Sequence, residues 1–417
     1  MNAASVPALR IVALGLFAGL AAGLLLASGL VGEPGISDTA VYQRYGERIA
    51  AGDLPYRDFR VEYPPGALPA FVVPALLTSE RGGYDAVFAG LMIACLAVLA
   101  ALVTASLRFL GASGLRVGAA LSTLVGGVLL LGPFTLTRFD LLPAAIAAGA
   151  VAATLAGHDR LGAAVLGAAI ATKLYPAVLL PLFVARAWRR RGRAEAFRVL
   201  ATTLGVVSLA YLPFLLLSPA GVGRSVWQQL GRPLQIESLG SAVLLALHHS
   251  LAMPLDWASG HGSQNLTGAV AGVASAATTI AGVAALVALW ITFAHADGGD
   301  ERFVRFAAAA AVAFVAFGKV LSPQFLVWLL PLVPLVAGSR GAFGSALLVV
   351  ACASTRLWFP GDYWALVRQF DEQSSWLVLA RDLVLVGVLL VLVWPRVTAR
   401  AGAPARSPSP GLSPGRT

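Results

Sequence analysis

Charge is what this sequence has least of. Only 12% of its 417 residues are Asp, Glu, Lys or Arg, where a soluble domain carries about 25%. Lysine occurs twice, at Lys173 and Lys319. Cysteine also occurs twice, and Cys95 and Cys352 both sit in apolar segments. That excludes a disulfide framework and reads as two small core side chains. So little charge excludes a water-soluble domain, and the formal net charge of +10 does not point to nucleic acid, because no soluble basic domain exists to carry it. What is plentiful is apolar: 58% of the residues are hydrophobic and the mean hydropathy is +0.80. Such a chain reads as an all-α, polytopic membrane protein, with helices satisfying their own backbone in lipid and the positive charge belonging to cytoplasmic loops.

The first apolar run, 9–31, carries no charge beyond Arg10. It exceeds the roughly 7–15 apolar residues of a secretory signal and reads as a retained first span. Ser37 or Asp38 is placed to cap a short helix over 39–51, ended by Gly52. Its Val41, Tyr45 and Ile49 share a face with Tyr42 beside them, which predicts a helix lying flat on the membrane. Pro64 and Pro65 set a turn, and 67–77 is short enough to be interfacial. Single spans are expected over 86–109, 117–134, 141–157, 197–217, 268–293, 342–358 and 376–394.

Two apolar runs are the wrong length for one crossing. Residues 161–185 read as a pair of short helices meeting at Lys173-Leu174-Tyr175-Pro176, and 303–337 is interrupted by GKVLSPQ. A long outer segment, 218–267, holds GRPLQIES and an apolar piece at 239–251. The whole makes a helical bundle of about twelve spans, some short or broken. It forms one transmembrane domain, 1–394, followed by a tail, 395–417, whose Pro, Ser, Gly and Arg predict disorder. The arginines of 186–198 lie next to spans and mark a cytoplasmic flank. With both termini inside, most carboxylates face outward, and so does the loop 32–66.

That loop concentrates what the rest of the chain avoids. It carries Glu33, Asp38, Glu47, Asp53, Asp58 and Glu62, four arginines, and the tyrosines Tyr42, Tyr45, Tyr56 and Tyr63. A polar, aromatic loop pinned to a membrane surface suits chemistry on a lipid-borne substrate. The two lysines sit inside apolar runs, each three or four residues before a proline. Ionisable groups at such depth are functional candidates by default, and a helix break exposes N–H groups that favour anions. Snorkelling or an inner salt bridge is the structural alternative. His248, His249, Asp256 and His261 have a spacing that matches no metal site, so neither metal nor cofactor is expected.

The segment SDTAVYQRYGERIAAGDLPYRDFRVEYPPG after a first span resembles the integral membrane glycosyltransferases of the C superfamily, and among them the polyprenol-phosphate-mannose-dependent mannosyltransferases of glycosyltransferase family 87. The matching positions are Asp38, Tyr42, Gly52, Tyr56 and Tyr63-Pro64-Pro65. ATKLYPAVLLPL at 171–182 and KVLSPQFLVWLLPL at 319–332 are similar to further segments of that family. The resemblance implies an external active site, a polyprenyl-phosphate-linked sugar donor with mannose as the sugar, and the first-loop Asp38 as general base. The expected partners are that donor, a lipid or cell-envelope glycan acceptor, and membrane lipids.

The chemistry runs the same way. A phosphate is a good leaving group, so the second carboxylate of a glycoside hydrolase, which protonates a poor alkoxide, is not needed. One base must take the acceptor proton, and cations must meet the charge growing on the phosphate. Asp38 lies closest to the membrane end of the first span and is the candidate base, with an N-cap as its structural alternative. Asp53, Asp58 and Glu62 are rivals that read as solvated or arginine-paired. Lys173, Lys319, Arg138 and Arg232 are candidates for the donor phosphate, although Arg138 reads first as a structural partner of Asp140. Tyr42, Glu62, Tyr63, Gln235 and Gln324 are candidates for sugar or acceptor. One displacement predicts inversion. A pentosyl donor stays open, and so does a secondary transporter or lipid-sugar flippase, favoured only by the two Lys-and-Pro breaks.

Overall fold

The computed structural model describes residues 5–33, 35–295 and 298–394; the tail expected to be disordered, 395–417, lies outside them. Six described helices are long and apolar enough to cross a membrane: Leu9–Ala27, Arg81–Phe109, Gly114–Leu131, Arg193–Leu217, Ala269–His295 and Glu372–Val393. Shorter apolar helices, among them Pro65–Leu77, Leu141–Leu155 and Leu239–Leu251, fill the spaces between them. Helix Asp300–Ala316 is buried along nearly its whole length, and its alanine run at 307–311 gives the neighbours room to close in.

The first helix packs along Arg81–Phe109 through Gly15, Gly19 and Gly23, one per turn. A Cβ on Gly15 or Gly19 would lie 2.6 Å from the main-chain oxygen of Ala100 or Leu96. Small residues at this spacing let membrane helices approach backbone to backbone.

Both wrong-length runs break where a proline dictates. Helix Asp159–Thr172 stops because the ring of Pro176 would meet the carbonyl of Thr172, four residues back, and offers no N–H to it. Lys173 is extended, and the chain resumes through a 3-10 turn, Tyr175–Leu179, into helix Leu180–Arg191. Pro323 likewise keeps a helix from running on through Lys319. Helix Asp300–Ala316 ends early, residues 317–322 are not helical, and the chain resumes in short turns from Pro323.

Two expectations change. Helix Thr39–Ala50 buries Thr39, Tyr42, Gln43 and Gly46 against helix Leu68–Leu77, with the Tyr42 ring stacked on Phe71 at 4.4 Å. Its innermost face therefore meets protein, while Val41, Tyr45 and Ile49 are only half-buried. The segment 218–267 is also not all helix. Strands Asp256–Gly260 and Ser263–Thr267 form an antiparallel hairpin, with Asp256 opposite Thr267. Its two-residue turn, His261-Gly262, has φ of 54° and 68°, as the twist of a tight hairpin requires.

Candidate functional site

Loops and helix breaks from across the chain converge on one cavity of about 660 Å³. The candidate base Asp38 and the nine candidates for phosphate, sugar or acceptor all line it: Tyr42, Glu62, Tyr63, Arg138, Lys173, Arg232, Gln235, Lys319 and Gln324. Gly66 shows how distant pieces meet. A Cβ there would lie 2.6 Å from the Ala171 oxygen and 2.8 Å from the Thr172 nitrogen, so only glycine lets the Tyr63-Pro64-Pro65 turn rest on the broken helix that ends beside Lys173. Tyr63 precedes a proline and is held extended, and its carbonyl accepts from the Tyr56 hydroxyl at 2.6 Å.

Asp38 occupies the N-cap position but makes no capping hydrogen bond; the N–H of Thr39 goes to Ser37 Oγ at 3.2 Å instead. The Asp38 carboxylate is thereby released toward the cavity, where it pairs with Arg138 and has the Tyr42 hydroxyl 3.4 Å away. The structural pairing of Arg138 with Asp140 is thus corrected. Asp140 accepts from Lys173 Nζ at 2.6 Å and from Trp328 Nε1 at 2.8 Å. Trp328 is stacked between Tyr175 and Phe325, and the Lys173 ammonium lies over Phe139 at 4.5 Å and Trp328 at 4.9 Å. Lys173 is therefore the inner salt bridge that the sequence left as an alternative, set in an aromatic box on the cavity wall.

The other two cations differ. Lys319 Nζ donates to the Leu230 carbonyl at 2.7 Å and meets no carboxylate among the described residues. Arg232 forms no hydrogen bond or ion pair among them, and its Nε is buried without a partner. Of the four cations on the wall, two are neutralised and two are not.

The remaining carboxylates of the first loop sort by partner. Glu62 lines the cavity and accepts from Gln228 at its side chain (3.3 Å) and from Gln229 at its main chain (2.8 Å). Asp53 pairs with Arg48, and Asp58 with Arg57, both at the exposed surface away from the cavity. The hydrogen bond from Arg57 holds the Asp58 carboxyl down at about 2.

Sequence reasoning missed Glu237. It lies on the cavity wall, 1% exposed, and its acidity is pushed down by burial, to a pKa of about 7. It also missed Arg381 and Asp382, an ion pair at 2.7 Å that is wholly buried, although two ionisable residues inside an apolar span carry the same signal as the lysines. Charge of both signs is buried, since Asp140, Asp159, Glu195, Glu237 and Asp382 are all buried together with Arg138, Arg186 and Arg381. His248 and His249 are occupied by the Met253 carbonyl and Ser375, and among the described residues no His, Cys, Asp or Glu cluster is arranged to hold a metal.

A chamber lined with charge inside an apolar helical bundle suits a membrane protein that acts on a polar substrate. The model of glycosyltransferase family 87 matches residues 62–323, more than half of the chain, and the chain belongs to that family. It is a membrane glycosyltransferase, and the transporter reading falls away. The match covers Glu62, Lys173, Arg232 and Lys319 but not Asp38 or Tyr42. A search of curated proteins finds no match. Among solved structures, the chain is similar to crystal structures of ArnT from Cupriavidus metallidurans. The form bound to undecaprenyl phosphate is 16% identical, covering 93% of this chain and 77% of that one at a TM-score of 0.47. The apo form is 15% identical, covering 94% and 77% at 0.45.

Proposed function

We propose that the enzyme moves a sugar from a polyprenyl phosphate to a lipid or cell-envelope glycan acceptor on the external face of the cell membrane, with inversion and with Asp38 as general base. Mannose is the sugar that the family resemblance favours. The observation that carries this reading is the pairing of opposites in one cavity: a carboxylate released from capping on one wall, and two cations without carboxylate partners, Arg232 and Lys319, on another.

In the proposed step the acceptor oxygen attacks the anomeric carbon while its proton passes to Asp38. The bond from that carbon to the phosphate oxygen breaks, and its electron pair leaves with the phosphate. The added charge on the phosphate is met by Arg232 and Lys319. Attack and departure on opposite faces of the sugar invert the centre. Arg138 positions Asp38, and Lys173, fixed by Asp140, shapes the wall. Tyr42, Tyr63, Glu62, Gln235 and Gln324 surround the space left for hydroxyl groups.

The test is transfer in proteoliposomes with labelled polyprenyl-phosphate mannose or arabinose and an envelope lipid extract. Labelled glycolipid product is expected, and counterflow of intact donor without bond cleavage would overturn the reading. The external face is tested on Ser37→Cys, next to Asp38, which an impermeant thiol reagent should modify on whole cells. Modification only after lysis would reverse the orientation.

A further inference from the structure

Glu237 lies in the connection 231–238 that also carries Arg232, between helices Pro219–Leu230 and Leu239–Leu251. Its carboxylate feels the charges of Arg381 and Arg138 but forms no ion pair in contact with either among the described residues. Arg381 has its own carboxylate in Asp382 and touches Glu237 only at the main-chain carbonyl. Arg138 has Asp38. One Glu237 oxygen, Oε2, accepts from Gln235 Nε2. Gln235 is itself fixed by Ser322 Oγ at 2.9 Å and by a main-chain bond to the Lys319 carbonyl at 2.9 Å. The other oxygen, Oε1, has no partner among the described residues.

An unpartnered buried acceptor is costly. Glu237 lines the cavity, so the group best placed to satisfy this oxygen is one carried by a molecule that fills the cavity. Asp382 also has an unpartnered oxygen, but it does not line the cavity. The phosphodiester of a polyprenyl-phosphate sugar has no proton to offer Glu237, whereas a sugar hydroxyl donates readily to a carboxylate.

We propose that Glu237 reads the donor sugar: Oε1 accepts a hydrogen bond from a ring hydroxyl of the same molecule whose phosphate rests on Arg232 and Lys319. This rests on the transferase reading above. One connection then grips both ends of a sugar phosphate, with a cation at Arg232 for the phosphate and an acceptor at Glu237 for the ring. Gln235 ties that connection to the Lys319 break, so the two grips hold a fixed spacing.

The experiment measures three ligands on the full-length protein: polyprenyl-phosphate mannose, its mono-deoxy analogues, and polyprenyl phosphate without a sugar. Glu237→Gln is expected to raise the donor KM about 10- to 100-fold, the worth of one hydrogen bond to a charged group, while inhibition by sugar-free polyprenyl phosphate is unchanged. One mono-deoxy donor should suffer a similar penalty with the natural enzyme and no further penalty with the variant. Equal weakening of both lipids, or identical deoxy penalties in the two proteins, would overturn the assignment. Should Glu237→Gln not fold, the natural enzyme decides: no mono-deoxy donor penalised beyond about threefold sinks the proposal, since a lost charged hydrogen bond costs more than that. A natural enzyme that transfers sugar from no polyprenyl phosphate refutes the function instead, and is told apart by that result.

Discussion

Two regions of this molecule gather arginines and lysines, and they treat them oppositely. Around the helix end at 186–198, four of the six arginines have a carboxylate partner among the described residues. Arg186 pairs with Asp159 and with Asp300 at 2.7 Å, Arg190 also reaches Asp300, and Arg191 reaches Asp159. Arg160 and Arg198 share Glu195. In the cavity, by contrast, Arg232 and Lys319 are left without carboxylates. In a chain with so little charge, paired cations are architecture, joining helices that lipid alone does not hold in register. Unpaired cations on a cavity wall are what the proposed function assigns to the donor phosphate. Under the proposed function, the contrast also sets the arginine cluster, the most conspicuous charge in the sequence, apart from the cations that meet the donor.

The largest effect expected is at Asp38, on the cavity side of the contrast. An acceptor hydroxyl is too weak an acid to attack unaided, so removing the base should slow transfer about 10²–10⁴-fold. Asp38→Asn keeps the shape and one oxygen toward Arg138. Binding of sugar-free polyprenyl phosphate, measured in parallel, should stay within a few-fold of normal. Near-normal transfer by the variant would leave Asp38 as no more than a partner for Arg138.

A smaller effect separates the two regions directly. Arg232→Gln and Lys319→Met should each raise the donor KM about 10- to 100-fold, the loss of a charge-assisted contact, with thermal stability little changed. Arg186→Met should do the reverse. It leaves the buried Asp159 with only Arg191, 3.5 Å away, and should cost up to about 3–5 kcal/mol of stability, while the protein that remains folded keeps its donor KM. If Arg186→Met alters the KM and Arg232→Gln alters only the melting temperature, the distinction between paired and reserved cations is wrong.

The breaks at Pro176 and Pro323 were legible because proline acts locally, on the carbonyl four residues back. The cavity residues were legible for a related reason: in an apolar chain a lone polar group is conspicuous wherever it falls. Partner choice was not legible. Arg138 and Asp140 are two apart in sequence and read as a pair, yet Arg138 reaches Asp38 and Asp140 reaches Lys173, because packing around 133–140 sets the directions of these side chains and sequence spacing does not. Helix Thr39–Ala50 was legible as an element but not in its facing, because close approach at Gly46, where a Cβ would lie 2.1 Å from the Phe71 oxygen, decides which side turns inward.

The smallest effect should fall on the exposed part of the same first loop. Asp58 and Asp38 are both carboxylates beside arginines, twenty residues apart, and composition alone does not rank them. Asp58 closes its own turn: it accepts from the Leu54 N–H at 2.8 Å and from Arg57 Nε at 2.8 Å. Those bonds hold its carboxyl at about 2, below its ordinary value. The stability it lends is therefore complete above a pH of about 4 and is lost only as pH falls through about 2, so nothing about Asp58 titrates between pH 6 and 8. Asp58→Asn retains an oxygen for the Leu54 N–H and gives up an ion pair at the solvent-exposed surface, where such pairs contribute little. Its turnover should stay within about twofold of normal, with an unchanged pH–rate profile from pH 6 to 8. A loss of tenfold or more, or a profile displaced in that range, would mean that the exposed half of the loop takes part in the chemistry and that the cavity is not its only seat.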